Sequence, residues 1–284
     1  MKKITKIEED VTEIFYPSIS DVMQDIKKLK DDGSQLYRAT YRRETCSSNL
    51  YRFHYFDTYE EAEAALIGGK WETGIAQLND AFTLENKNFE DRKRQKMFYD
   101  VVGYQASVPR YLQGLPTNMV NSRPIPKQEK VFTIVKHIGY LANVTTAEII
   151  DNSAKALAIL NQLEKRGIRC NLDVYSPVID LYGYGKGVIR IRLKNANERL
   201  TIGKLAFPLA NPDMLRRFIF GLRKMNAQSG AWEIFEKDYG AGRTIEDVAE
   251  NKRYLDAVGI KNCIFLNNHI ESPETELRRN GLIK

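Results

Sequence analysis

Cysteine, histidine and long apolar runs are all scarce in this chain of 284 residues, and each scarcity removes a class of function. The three cysteines, Cys46, Cys170 and Cys263, are odd in number, widely separated and form no CxxC pair. Neither a disulfide framework nor a thiolate zinc site can be built from them, so reduced, mostly buried thiols are expected. The three histidines, His54, His137 and His269, stand alone, with no second histidine or cysteine three or four residues away. A zinc site would need three remote loops to converge, and no metal or other cofactor is expected. Apolar runs such as Cys263–Leu266 and Phe218–Phe220 are far too short to cross a bilayer. Met1-Lys2-Lys3 opens like a signal peptide, but Glu8, Glu9 and Asp10 occupy the place of its apolar segment, so a cytosolic protein is expected. No repeat of fixed period and no low-complexity tract is visible.

What is present describes a globular chain. Hydrophobic residues make up 43% and charged residues 28%, values that suit a packed core of one large or two modest domains. The 43 basic and 37 acidic residues leave a net charge of +6, which permits nucleic acid or an acidic partner without demanding either.

The first hundred residues are polar and rich in tyrosine. Val22, Met23, Ile26 and Leu29 mark one face of a short helix ending near Gly33. Gln35 to Phe56 interleaves aromatic and basic residues, a composition that suits stacking on single-stranded nucleic acid. Thr58-Tyr59-Glu60-Glu61 has the capping-box pattern of a helix start; that helix should stop at Gly68-Gly69, and another begins near Trp71. The charged stretch Glu85–Asp100 reads as a solvated helix or loop. From Asp100 to Pro126 the chain holds Gly103, Pro109, Gly114, Pro116, Pro124 and Pro126, which marks ordered but irregular backbone. The expected organisation is an N-terminal α+β module over 1–98, a joint over 99–126 and an α/β core over 127–284.

The core is the clearest part. Val131–Ile138 reads as a strand. Thr145-Thr146-Ala147-Glu148 is a second capping box, and the helix it opens carries Ile150, Ala154, Leu157, Leu160 and Leu163 on one face. Gly167 takes the C′ position, and Ile168–Tyr175 returns as a strand, completing a βαβ unit. Val188–Lys194 alternates, with Ile189, Ile191 and Leu193 on one face and Arg190, Arg192 and Lys194 on the other. Leu200–Leu209 reads as a strand pairing back across Asn195-Ala196-Asn197. Asn211-Pro212 is an N-cap followed by proline at N1, and Ser272-Pro273 is another helix start. Thr244–Asp247 opens a further helix, and Cys263–Leu266 is a short strand. The fold class is therefore α/β: a layered mixed or parallel sheet flanked by helices.

Catalytic patterns are missing. There is no GxSxG, no HExxH and no calcium loop. Gly183–Gly187 lacks the Ser or Thr of a phosphate loop and reads as a glycine-rich hairpin. Asp100, Asp151, Asp173, Asp180 and Asp213 lie near element ends, where metal-dependent hydrolases place ligands but where caps and turns also need acids. Two basic faces remain: Arg190, Arg192 and Lys194 on a strand, and Arg216, Arg217, Arg223 and Lys224 in pairs seven apart on a helix. Each fits phosphate contact or a solvated outer face, and Arg216 or Arg217 also fits a buried ion pair.

Several segments carry a resemblance. They are Glu61-Ala62 with Trp71 and Gly74, Asp100-Val101-Val102-Gly103-Tyr104, Val108-Pro109-Arg110-Tyr111-Leu112 through Gly114, Pro116 and Met119, the Leu163–Gly167 helix end, and Pro212-Asp213-Met214-Leu215-Arg216-Arg217. Together they resemble a family of uncharacterised proteins encoded by bacteriophages and prophages. The resemblance implies a phage source, in the cytoplasm of an infected bacterial host or in the virion, and brings no catalytic residue with it. The order of the core elements is also similar to a von Willebrand factor A-type fold. The place of that fold's Asp-x-Ser-x-Ser metal motif holds His137-Ile138-Gly139-Tyr140-Leu141 here, which implies a core without the metal site.

The leading expectation is a non-enzymatic binding protein that contacts host or phage protein, or nucleic acid, with no membrane partner. The binding candidates are Asp100, Tyr104, Arg110 and Asn118 in the irregular segment, and Arg190, Arg192, Arg216 and Arg217 on the basic faces. A nucleotide-ligand-binding antagonist or hydrolase of host immune signals, and a virion component, are the alternatives. A homo-oligomer is compatible with all three.

Overall fold

A computed structural model describes residues 1–8, 11–31, 55–87, 95–124, 131–140, 144–179, 186–228, 243–244 and 247–283. The chain runs β1 (Lys3–Glu8), β2 (Val11–Tyr16), α1 (Ile19–Asp31), α2 (Tyr59–Gly68), α3 (Glu72–Lys87), β3 (Gln95–Asp100), β4 (Gln105–Ala106), α4 (Val108–Leu112), β5 (Met119–Pro124), β6 (Val131–His137) and α5 (Thr146–Lys165). It continues with β7 (Arg169–Ile179), β8 (Lys186–Lys194), α6 (Ile202–Ala210), a π-helical turn (Met214–Ile219) leading into α7 (Phe220–Gln228), β9 (Arg243–Thr244), α8 (Val248–Ala257), β10 (Cys263–Leu266) and α9 (Pro273–Arg279). The class is mixed α/β, with helices around one large mixed sheet and a separate three-stranded antiparallel sheet.

The large sheet has the order β1-β2-β8-β7-β6-β10, with the two-residue β9 beside the end of β7. At its centre lies the βαβ unit that the sequence marks. Both nitrogen and side chain of Thr145 engage Glu148 at the start of α5, and Gly167 leaves that helix with φ of 83°. Strand β7 then lies parallel to β6, with Ile134 opposite Leu172. The α2 start shows the same reciprocal cap between Thr58 and Glu61.

Strands β1 and β2 have no clear signature in the sequence. In the fold β2 lies parallel to β8, with Ile14 opposite Ile189, so the large sheet runs from residue 3 to residue 266. The expected 200–209 strand is instead helix α6, a correction with a plain cause. Leu205 to Ala210 are buried without a break between α5, α3 and the π-helical turn, and a helix enclosed on all sides has no polar face to show its period. Of the hairpin expected at Gly183–Gly187, Lys186 and Gly187 begin β8, antiparallel to β7, while residues 183–185 lie outside the described residues, as does most of Gln35–Phe56. So do His54, Cys46 and Asp180. Within Glu85–Asp100, the described part from Gln95 is strand β3.

The two faces of the sheet are covered unequally. Ile14, Ile134, Leu172, Ile189 and Ile191 belong to a broad core with α1, α2, α3, α5, α6 and the π-helical turn. Val11, Val135, Tyr175 and Val188 form a smaller cluster with Tyr254 and Leu255 of α8. Trp71 closes the broad core from one side; its ring lies so close over Gly74 that a Cβ there would stand 2.0 Å from it.

Candidate functional site

The eight residues singled out from the sequence fall into three sets, and the sets have opposite characters. Arg190 and Arg192 project from the same face of β8, but into the protein. Arg190 donates through Nε to Glu13 Oε1 at 2.7 Å, through Nη2 to Glu13 Oε2 at 3.3 Å and through Nη1 to Asp173 Oδ2 at 2.8 Å. Arg192 bonds the other Asp173 oxygen, and the Arg190 guanidinium lies 3.9 Å from the centre of the Phe15 ring. Glu13, Asp173 and Arg190 are at most 5% exposed. Burial pulls the Arg190 guanidinium down, but its bonds to Glu13 and Asp173 outweigh that and hold it above its ordinary value. Two acids and two bases thus close a neutral network.

Lys194 departs from the expected alternation. The β7–β8 register shifts beside Leu172 and Asp173, leaving Leu193 as the extra residue on β8. Lys194 therefore turns to α5, where Nζ donates to Glu164 Oε1 at 2.5 Å and to the Cys170 carbonyl at 3.1 Å.

Arg216 and Arg217 sit in the π-helical turn and are each 5% exposed, which corrects the solvated face expected of them. Arg217 donates through Nη2 to the carbonyls of Phe56 and Asp57, at 2.6 and 3.2 Å. Asp213 accepts from the backbone nitrogens of Tyr55 and Phe56 at 3.1 and 2.8 Å, and lies 3.5 Å from Arg217 Nε. This pair clamps the 55–57 segment onto the helix, the buried ion pair with which the sequence is compatible. Burial lowers the Arg216 guanidinium, partly opposed by Asp213. The wider turn explains the inward direction: a π-helical turn adds a residue to the helical period and rotates the residues after it about the axis.

The remaining four residues belong to the small sheet, β3-β5-β4, together with α4. This arm, residues 95–124, is tied by local bonds. Asp100 Oδ1 accepts from Val101 N at 2.8 Å, and Tyr104 N donates to Val120 O at 3.0 Å. Arg110 donates to Thr117 O at 2.8 Å and to Thr117 Oγ1 at 3.0 Å while its guanidinium lies 4.4 Å from the Tyr99 ring centre. Asn118 donates through Nδ2 to Leu115 O at 3.0 Å and accepts at its carbonyl from Ser107 N at 2.7 Å. At Gly103 a Cβ would stand 2.2 Å from the Val120 carbonyl oxygen, so only glycine allows the turn to close on β5.

The arm is rigid in its polar groups and apolar where it meets solvent. Tyr99, Val101, Val102, Tyr104, Val108, Tyr111 and Leu112 are all between 50% and 78% exposed. Val108, Tyr111 and Leu112 fall at i, i+3 and i+4 on α4, so they share a helical face, while Arg110 turns the other way to Tyr99. A helix whose apolar face looks outward is the reverse of the usual arrangement. The sequence singles out this segment, with Tyr104 in it, as a binding candidate, but not Tyr99, Val101, Val102, Val108, Tyr111 and Leu112; the i, i+3, i+4 spacing of the last three is the available signal.

The profile of a family described as a domain of unknown function, DUF7192, matches residues 3–279. The chain belongs to the DUF7192 family. No curated protein and no solved structure matches it. The DUF7192 match runs from β1 to the end of α9, so the arm lies within the family's span. Among the described residues, no cluster of three or more His, Cys, Asp or Glu side chains could hold a metal ion in this DUF7192 chain, and no helix is long and apolar enough to cross a membrane.

Proposed function

We propose that this DUF7192 chain is a phage-encoded, non-enzymatic binding protein that docks on another protein surface through the arm. The observation that carries the reading is the concentration of seven large, exposed apolar side chains between Tyr99 and Leu112, beside a fixed Tyr99–Arg110 stack. Tyrosine and arginine held in place by local bonds are the residue types that anchor protein interfaces, because little freedom is lost on contact. Nucleic acid is the weaker partner, since Arg190, Arg216 and Arg217 are buried and Arg192 is paired with Asp173. The likeness of Asp100–Tyr104 and Pro212–Arg217 to phage and prophage proteins supports the source, and the βαβ core keeps the von Willebrand factor A-like reading as part of the proposal.

The test is affinity purification from the infected host with wild type and with Tyr111→Asp/Leu112→Asp. The wild type is expected to bring down a defined protein that the variant loses, while the circular dichroism of the two chains is the same. A partner retained at equal yield by the variant would move the contact away from the arm.

A further inference from the structure

We infer that the arm's apolar face is the contact between two copies of this chain, paired about a twofold axis. This rests on the docking reading and names its occupant.

Tyr104 and Tyr111 are 62% and 69% exposed; on aromatic side chains of roughly 150–250 Å² each, that leaves about 250 Å² in contact with water. Val101, Val102, Val108 and Leu112, at 61% to 78% exposure, add a comparable amount. The sum lies in the upper part of the ~300–600 Å² range of the largest patch on a typical monomer and supplies more than half of the ~800 Å² per partner of a standard interface.

Between residues 99 and 112 the chain carries one acid, Asp100, and one base, Arg110. A twofold contact must be complementary to itself, and a patch of one sign would repel its copy. The whole chain carries +6, which opposes the approach of two copies, and the balanced stretch from residue 99 to 112 is where that repulsion is least. A foreign partner selected by charge, or an anionic bilayer, would instead need a field that this patch lacks.

The Arg110–Thr117 bonds, the Asn118–Leu115 bond and the close fit of Gly103 on Val120 fix the arm before any contact forms. The ordering cost of association is correspondingly small.

Sedimentation equilibrium of the full chain is the direct test, with Tyr111→Asp/Leu112→Asp as the variant and unfolding midpoint as the control for folding. A wild-type dimer that the folded variant converts to monomer supports the inference. A single Leu112→Cys change supplies an independent readout, in which oxidation is expected to yield a covalent dimer through that position. A wild-type monomer at every concentration overturns the second copy as occupant; if the variant then still loses a protein partner, the docking reading survives alone. Binding of the monomer to neutral phosphatidylcholine vesicles, lost in the variant, overturns both in favour of a bilayer.

Discussion

Replacing Arg190 by Met should destabilise this protein more than any exposed charge substitution, because it strands a buried acid. Both Glu13 oxygens are bonded by Arg190, and Glu13 is 2% exposed. Asp173 keeps Arg192 after the change, so the loss falls mainly on Glu13. Breaking a buried ion pair by removing one partner costs about 3–5 kcal/mol. At about 2–4 °C per kcal/mol for a large domain, that corresponds to a melting temperature lower by roughly 10 °C. Removing both partners in Glu13→Leu/Arg190→Met deletes one acid and one base, leaving the neutral Asp173–Arg192 pair. The double variant should therefore recover most of the loss, with a coupling energy of several kcal/mol. Urea unfolding followed by circular dichroism and by the fluorescence of the buried Trp71 measures each corner of the cycle. A single variant within ~0.5 kcal/mol of wild type is the behaviour of a surface site. It would refute the inward placement of Arg190 and return a phosphate-binding role to β8.

Other perturbations obey the same logic. Asp213→Ala removes the acceptor of two backbone nitrogens and the partner of Arg217, and should cost about 2–5 kcal/mol by chemical denaturation, since the donors stay buried. Gly74→Ala should cost about 1–3 kcal/mol, because the added methyl displaces the Trp71 ring from the core, a shift visible in the tryptophan emission. Lys136 is fully buried and burial pulls its ammonium down to about 7, while its bonds to the His137 and Asn267 carbonyls need only the two hydrogens of the neutral amine. The unfolded chain then binds the extra proton above pH 7, so this group's contribution to stability is fully present above about 10.5 and is lost as pH falls through about 7. Between pH 7 and 10 the unfolding free energy should rise more steeply in wild type than in Lys136→Met, and parallel slopes would refute the assignment.

Local chemistry is legible in the sequence where one segment settles its own structure. The capping boxes at Thr58 and Thr145, the glycine exit at Gly167 and the Asn211-Pro212 start all form as their residues require; Asn211 Oδ1 accepts from Asp213 N at 2.9 Å. The features that are not legible depend on remote partners. Alternation places Arg190 and Arg192 on one face, but which face is covered is decided by Glu13, 177 residues away. The pairs of arginines seven apart point outward on an α-helical period that the π-helical turn does not keep. Helix α6 reads as a strand in the sequence because an unbroken apolar run fits both, and only packing between α5, α3 and the turn decides.

The location of charge and apolar surface is inverted relative to what the composition suggests. Among the described residues six basic side chains but only four acidic ones are buried, so part of the +6 lies inside and is unavailable to an acidic partner. Lys136 and Arg223, whose described bonds are to carbonyls and to Ser176 Oγ, are both held below their ordinary range by burial; Arg223, at about 9, stays charged at neutral pH, and only Lys136, at about 7, is partly neutral there. The arm does the opposite, turning tyrosine, valine and leucine to water on a scaffold of satisfied polar groups. A core that encloses arginines while an arm displays tyrosines concentrates recognition in apolar contact. Binding through the arm should accordingly vary little with ionic strength, since few charges lie at the contact, whereas binding through the arginine faces would weaken steeply as salt is raised. A salt titration of any complex this chain forms separates the two, and a steep loss of affinity would count against the arm.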